Sequence, residues 1–228
     1  MYSPDEGHMH IINGKPLFAF DAEKDFAEQR TRIKRKLTEL LGDRPESVKP
    51  NPVIEYKREY ETYTEYRISF DVEPLVRAVC LFCLPRLGRD KYPLAVCLQG
   101  HTTGMEVSLG RIREDNPPRN RKGDIAIQAM AHGYAALCLE QRGMGERRTE
   151  KVENAEDHGA PRCHVTAMNA LLAGRTMIGE RCHDVSRAID LALTCEKIDG
   201  EHIICTGNSG GGTTTYYAAC MDERIKLA

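Results

Sequence analysis

The sequence predicts an α/β fold in which helices cover both faces of a mostly parallel sheet. Short apolar runs, typical of strands buried on both faces, alternate with segments whose apolar residues recur at helical spacing. The last long run ends in a glycine-rich turn that leads into a helix-compatible segment. We expect a helical extension and linker at residues 1–52, followed by the α/β domain at residues 53–228.

The composition is that of an ordinary globular protein. Hydrophobic residues make up 41% of the 228 residues and charged residues 29%, and the formal net charge is -2. This charge gives no field that would attract nucleic acid or an anionic membrane surface. No apolar run reaches the ~18 residues of a membrane span, and the polar N-terminus resembles no secretory signal. We expect a small-molecule partner, no nucleic acid and no membrane, and homo-oligomerisation stays open.

The nine cysteines indicate a reducing compartment, so the expected location is cytoplasmic. Cys97, Cys138 and Cys205 each lie in an apolar run, where cysteine behaves as a small buried hydrophobic residue. Cys80 and Cys83 form a C-x-x-C pair, but inside a strand they point to opposite faces. No second pair or histidine spacing completes a zinc site, so we expect no metal and no cofactor.

Residues 21–42 have the apolar spacing of a helix, with Asp21 as its N-cap and Gly42 at its end. Prolines then break the chain, and the polar, tyrosine-rich stretch at residues 53–70 favours an edge hairpin. The predicted core strands lie at residues 76–84, 94–98, 134–139 and 203–206, and helices at residues 125–132 and 180–196 separate the last three. This alternation predicts parallel strands.

About 38 residues connect the strand ending near Glu140 to the helix starting near Gly179. Connections of this length in compact domains are usually functional or disordered. We expect residues 143–178 to lie over the C-terminal ends of the strands, where open α/β sheets bind ligands. A short helix is expected at residues 167–172, and Arg142 is expected to brace the loop and not to act on a substrate.

The strongest functional signal is Gly207-Asn208-Ser209-Gly210-Gly211, which follows an apolar strand and precedes a helix-compatible segment. G-x-S-x-G in this context is typical of a nucleophile elbow, which projects the serine hydroxyl above the sheet from a strained turn. Small residues are needed two before and two after the serine because the turn brings backbone segments close together. The alternative is a glycine-rich turn of another α/β protein, whereas the phosphate-loop patterns are not satisfied.

A second signal is Gln99-Gly100-His101-Thr102, which directly follows a predicted core strand. A nucleophile elbow needs two amide donors for the oxyanion, one from the residue after the serine, here Gly210, and one from this earlier loop. We expect the His101 amide to be the second donor and its ring to line the pocket. The alternative, His101 as general base, is less favoured because base histidines in this fold follow the nucleophile in sequence. Gly100 and Thr102 complete the predicted oxyanion and substrate-binding group.

Several segments together resemble the α/β-hydrolases, and within them the acetyl xylan esterase and dienelactone-hydrolase-related branch. In chain order they are Gln99-Gly100-His101, residues 140–146, the helix at residues 178–190 and Gly207-Asn208-Ser209-Gly210-Gly211. The resemblance implies a Ser-Asp-His triad that hydrolyses small acyl esters, often acetyl groups on sugars, with Ser209 as nucleophile. It also implies that the amides of Gly210 and His101 bind the oxyanion. Ser209 replaces the cysteine of dienelactone hydrolases, and Gln99 stands where many relatives have histidine.

The triad order in this fold is serine, acid, histidine. Residues 210–228 contain Asp222 and Glu223 but no histidine, and Ile225 opens a further strand-like run. We therefore expect the chain to be an N-terminal portion of a longer protein that supplies the acid and base after residue 228. A naturally short, inactive relative is the alternative.

The predicted function is a serine ester hydrolase that acts through an acyl-enzyme. A serine peptidase of the prolyl-oligopeptidase kind would share the elbow, but residues 1–55 are too few for its substrate-restricting domain. A catalytically inactive hydrolase-fold fragment or binding module is the non-enzyme alternative. The remaining polar clusters favour structural roles: Asp184, Arg187 and Asp190 as an ion-pair ladder, and His158, His164 and His183 as surface residues.

Overall fold

A computed structural model describes residues 4–14, 18–101, 104–111, 124–148 and 163–228. They divide into two compact units, Met1–Leu40 and Leu41–Ala228. The first unit holds helix α1 (Asp5–Ile12) and helix α2 (Phe26–Leu40). No helix among the described residues is long and apolar enough to cross a membrane.

Helix α2 begins later than the sequence predicts. Asp25, not Asp21, is its cap, because Asp25 Oδ1 accepts a hydrogen bond from the Glu28 amide at 2.8 Å. The Asp21 amide instead donates to Oε1 of the buried Gln29, and its carboxylate accepts from the Glu23 amide. Asp21 therefore closes a turn ahead of the helix.

The strands of the second unit form a seven-stranded sheet with the order β1-β2-β3-β5-β4-β6-β7. They are β1 (Val53–Glu59), β2 (Tyr63–Glu73), β3 (Val76–Pro85), β4 (Tyr92–Leu98), β5 (Ala135–Leu139), β6 (Ile198–Gly207) and β7 (Ile225–Leu227). Strands β1, β2, β3 and β5 pair antiparallel in turn, whereas β4 is parallel to β5 and β6, and β6 to β7. The prediction that the last three core strands are parallel is confirmed. Of the predicted hairpin, only β1 lies at the edge, since β3 covers β2.

Helices in the second unit are α3 (Ile125–Ala131), α4 (Cys163–Leu172), α5 (Met177–Ala192) and α6 (Gly210–Met221). Helix α5 begins before the predicted residue 180 because Thr176 caps it, its Oγ1 accepting from the Gly179 amide at 3.0 Å. Helix α4 likewise begins earlier than the predicted residue 167. Short 3₁₀ turns lie at Met105–Leu109 and Gly145–Arg147.

The core consists of two apolar clusters, one on each face of the sheet. Helices α5 and α6 contribute to the first cluster, and α3 with the 3₁₀ turn Met105–Leu109 to the second. Cys80 belongs to the first cluster and Cys83 to the second, which confirms that they point to opposite faces. Cys97, Cys138 and Cys205 are buried as predicted, and all nine cysteines are free thiols. Layers of helix, sheet and helix thus leave the carboxyl edge of β4, β5 and β6 as the place for a site.

Candidate active site

Ser209 stands between the end of strand β6 and the start of helix α6. Its backbone has φ 50° and ψ -119°, a conformation that non-glycine residues rarely adopt and that costs about 1–3 kcal/mol. The side chain is exposed at this turn. The expected unusual backbone at Ser209 is confirmed, and the geometry is that of a strand-to-helix elbow.

Gly207 and Gly211 are required by the close approach of backbone on both sides of Ser209. A Cβ on Gly207 would lie 2.5 Å from the carbonyl carbon and oxygen of Gly211. A Cβ on Gly211 would overlap the carbonyl oxygens of Leu98 and Gln99 at the end of β4. Any side chain here would therefore push the elbow away from the neighbouring strand, as the motif predicts.

The loop after β4 lies directly against the elbow. A Cβ on Gly100 would be 3.1 Å from the Cβ of Ser209, and a Cβ on Gly210 would be 2.5 Å from Cε1 of His101. The structure thus brings together Ser209, Gly210, Gly100 and His101, as the sequence predicts, while Thr102 lies outside the described residues. The oxyanion role assigned to them stays a prediction.

Burial and then the positive charge of Arg181 lower the pKa of the His101 imidazole below its usual 6.5. The ring is therefore neutral at neutral pH. A neutral imidazole beside the elbow adds no positive charge of its own to the oxyanion position.

The start of the long loop contributes Met144 to the same place. Its Cε would lie 3.1 Å from a Cβ on Gly210, and the side chain is fully buried. Residues 143–148 thus lie at the carboxyl edge of the sheet, where the whole loop was predicted. Residues 149–162, with His158, lie outside the described residues.

A buried hydrogen-bond chain behind the elbow was not predicted from the sequence. Thr214 Oγ1 donates to Gln141 Oε1 at 2.8 Å, and Gln141 Nε2 donates to the Gln99 carbonyl at 2.7 Å. Gln99 Nε2 in turn donates to Glu140 Oε1 at 2.7 Å. Burial raises the pKa of Glu140 to about 7. The available signal was the polar pair Glu140-Gln141 directly after a fully buried strand.

Arg142 braces the loop, as predicted. Its Nε and Nη2 donate to the two carboxylate oxygens of Asp184, each at 2.8 Å, and Arg147 Nη1 reaches the same carboxylate at 2.6 Å. Burial alone would raise the pKa of Asp184, but the charges and hydrogen bonds of Arg147 and Arg142 hold it below its usual 3.8. The predicted ladder is therefore wrong at Asp184, which pairs with loop arginines, whereas Arg187 does pair with Asp190 at 2.5 Å.

The histidines off the elbow have mixed outcomes. His164 is exposed as predicted. His183 is buried, not on the surface, because its Nε2 lies 2.7 Å from the Val72 carbonyl oxygen on β2. Within the described ranges, no group of three His, Cys, Asp or Glu side chains could hold a metal ion.

The chain belongs to the Abhydrolase family, the α/β-hydrolases, because the profile of this family matches residues 7–225. Among curated proteins, the provisionally named hydrolase YtaP of Bacillus subtilis (strain 168) is 24% identical over 202 residues. That alignment covers 88% of this chain and 62% of YtaP.

Among solved structures, a provisionally described acetyl xylan esterase from Bacteroides fragilis NCTC 9343 superposes with a TM-score of 0.84 at 18% identity, covering 99% of this chain and 59% of that one. The acetyl xylan esterase from Paenibacillus sp. R4 gives 0.59 at 18% identity, covering 94% and 63%. A glucuronoyl esterase from Solibacter usitatus gives 0.57 at 17% identity, covering 93% and 59%. The chain thus has the fold of these proteins and spans about three fifths of their length.

Proposed function

We propose that this chain carries the nucleophile and the oxyanion donors of a serine carboxylic ester hydrolase. The observation that carries the proposal is Ser209 itself, whose exposed hydroxyl sits on a strained strand-to-helix turn. The first amide of helix α6, at Gly210, and the loop segment Gly100–His101 adjoin it. Strain of this kind persists only where the surrounding structure imposes it, and it clusters at functional sites.

The proposed reaction is acyl transfer in two stages. Ser209 Oγ attacks the ester carbonyl carbon and gives its proton to a base, while the amides of Gly210 and His101 donate to the oxyanion. The tetrahedral intermediate collapses, the C–O bond to the alcohol breaks, and the alcohol leaves with that proton. Water then attacks the acyl-enzyme by the same route, releasing the acid and restoring Ser209.

The amide of His101, and not its ring, is assigned to this reaction. The ring packs against Gly210, and the side chain of Met144 lies against the same glycine. The exposed His101 ring thus occupies space beside the nucleophile, which favours a small acyl group. Small acyl esters, acetyl groups on carbohydrates among them, are therefore the proposed substrates, and the fold shared with acetyl xylan esterases supports this choice.

A fluorophosphonate probe tests the assignment in a chain extended beyond residue 228 to supply the predicted acid and base, because it reacts with an activated serine whose oxyanion donors are in place. We expect a covalent adduct that maps to the peptide containing Ser209 and is absent in Ser209→Ala. The matched control Ser186→Ala, on helix α5, should label like the wild type. An adduct that survives Ser209→Ala, or no adduct after prolonged incubation, would contradict the proposal.

His101→Ala separates the two roles of that residue, since it removes the ring and keeps the amide. We expect its labelling rate to stay within about tenfold of the wild type, because the loss of an oxyanion donor itself costs about 10²–10³. Complete loss of labelling in a folded His101→Ala would instead identify the ring as the base for Ser209.

We further propose a cytoplasmic location. The support is that all nine cysteines, six of them buried, are free thiols. Recovery of the endogenous protein with every thiol reactive to a maleimide after denaturation would agree, and a disulfide in the native protein would contradict it.

A further inference from the structure

The carboxyl group of Glu140 occupies a position that the proposed acyl transfer does not use. It follows strand β5, and the residue is only 2% exposed. One oxygen accepts from Gln99 Nε2 at 2.7 Å, and the other accepts from the Met105 amide at 3.2 Å. Gln99 and Met105 stand at the two ends of the segment that carries Gly100 and His101. A single carboxyl group therefore fastens both ends of this segment to the sheet.

The surrounding backbone encloses this carboxyl group tightly. A Cβ on Gly104 would lie 2.7 Å from Glu140 Oε2, and a Cβ on Gly145 would overlap the same oxygen. The loop after β4 and the loop after β5 thus both close on Glu140. Because both loops also contact Gly210, through His101 and Met144, a change at the carboxyl group bears directly on the elbow.

The charged groups around Glu140 are few. Arg147 donates to its backbone carbonyl at 3.1 Å, and its positive charge favours ionisation, whereas the charge of Glu146 opposes it. The N–H donors to the carboxyl oxygens belong to neutral groups: Gln99 Nε2, the Met105 amide and the Glu146 backbone amide. Burial raises the pKa to about 7, so the group changes charge in the ordinary working range. These N–H donors suit the ionised form, whose hydrogen bonds are roughly twice as strong as neutral ones.

We propose that Glu140 is a positioning residue for the active site: its carboxylate, through Gln99 and Met105, holds the segment Gly100–His101 against Ser209. The inference rests on the proposed function only for the meaning of that segment as an oxyanion loop. Protonation of Glu140 weakens both fastenings and loosens the loop. The pH dependence of ester hydrolysis therefore includes an ionisation that belongs to Glu140 and not to the base of Ser209.

The test is ¹H–¹⁵N NMR of the full 228-residue chain between pH 5.5 and 8.5, which needs no catalytic activity. The Met105 amide reports on the carboxyl group, and the Gly100 amide reports on the loop. We expect both to shift with one midpoint near 7 in the wild type. Glu140→Gln should remove this transition, while the matched control Glu106→Gln, in the neighbouring 3₁₀ turn, should keep it.

Two results would overturn the proposal. A Met105 amide that titrates while Gly100 does not would show that Glu140 ionises without holding the loop. A Gly100 transition that persists in Glu140→Gln would belong to another group, such as His101, whose lowered pKa places its own transition at lower pH. If Glu140→Gln fails to fold, ¹³Cδ labelling of glutamate in the wild type replaces it. The Glu140 Cδ and the Gly100 amide must then share one midpoint, and separate midpoints would refute the coupling.

Hydrolysis of p-nitrophenyl acetate then connects the loop to the reaction. In a chain extended beyond residue 228 to supply the predicted acid and base, Glu140→Gln should lower kcat about tenfold at pH 8 with KM within twofold. This is less than the ~10² expected for loss of an oxyanion donor. The variant should also lose the rise of kcat through pH 7. Absence of turnover in every variant would count against the proposed function and leave the NMR result standing. Equal dependence of kcat on pH in the wild type and Glu140→Gln would instead contradict the positioning role of Glu140.

Discussion

Two buried carboxylates near the turn after β5 have opposite electrostatic environments. Glu140 is 2% exposed and Asp184 is 1% exposed, so burial penalises the charged form of both. The pKa of Glu140 accordingly rises to about 7, but that of Asp184 falls below 3.8. The difference lies in the partners, because neutral N–H groups contact Glu140 and two arginines contact Asp184.

Two neighbouring loops are thus held in different ways, one by ion pairs of fixed charge and one by a titratable carboxyl group. The ion pairs of Asp184 with Arg142 and Arg147 keep their charges throughout the neutral range and fasten the loop after β5 to helix α5. The carboxyl group of Glu140 fastens the loop after β4 and changes charge near pH 7. Equal burial therefore does not imply equal function.

Asp184→Asn should have the largest effect on stability. It removes the buried negative charge from Arg147 and Arg142, although Arg142 keeps its ion pairs with Glu73 and Glu180. Since removing one partner of a buried pair costs roughly 3–5 kcal/mol, the loss of unfolding free energy should reach up to this range. Because the pKa of Asp184 is lowered on folding, this contribution is present at neutral pH and is lost only as pH falls through the folded value.

Urea unfolding at pH 7 measures this loss. The control is Asp190→Asn, on the same helix, because Asp190 is partly exposed and its pairs with Arg187 and Arg224 are more solvated. Equal losses of unfolding free energy in the two variants would show that the buried ion pairs of Asp184 stabilise the protein no more than the solvated pairs of Asp190.

Glu140→Gln should change the unfolding free energy in the opposite direction as pH rises. A carboxyl whose pKa rises from 4.5 to about 7 on folding stabilises the protein fully below the lower value, and this contribution disappears as pH rises through 7. This change in pKa corresponds to about 3 kcal/mol. The variant should therefore gain up to about 3 kcal/mol relative to the wild type between pH 5 and pH 8. If urea unfolding gives a constant difference in unfolding free energy between the variant and the wild type across this range, the pKa of Glu140 is not raised on folding.

Glu146→Gln should have the smallest effect. Glu146 is exposed and pairs with Arg67, so its loss should change the unfolding free energy by less than about 1 kcal/mol. Its negative charge helps to raise the pKa of Glu140, so the Met105 amide should titrate at lower pH in this variant. An unchanged or raised midpoint in the NMR titration would contradict this account of Glu140.

The elbow could be predicted from sequence because its demands are local. Only small residues fit at Gly207 and Gly211, and they stand beside Ser209 in the chain, so the motif records the geometry. The core strands could be predicted for a similar reason, since burial on both faces makes them continuous apolar runs. The short run at Ile225 is likewise a strand, β7.

The polar interior could not be predicted because its partners are distant in the chain. Gln99 meets Glu140 only because β4 pairs with β5, and the polar pair Glu140-Gln141 marks a polar site without showing which partner it meets. His183 has the sequence context of a surface helix, yet its partner Val72 comes from a strand 111 residues away. Even the cap of α2, predicted at Asp21, lies at Asp25, because Asp21 contacts Gln29 from a turn ahead of the helix.

Ser209 is the proposed nucleophile of an acyl transfer. The most direct test of this role is mass spectrometry of a chain extended beyond residue 228 to supply the predicted acid and base, after incubation with p-nitrophenyl acetate and peptide mapping. We predict a single acetyl group on the peptide that contains Ser209, formed as p-nitrophenol is released, and no such adduct in Ser209→Ala. Acetylation of His101 or Cys163 instead, with Ser209 unmodified, would contradict the account.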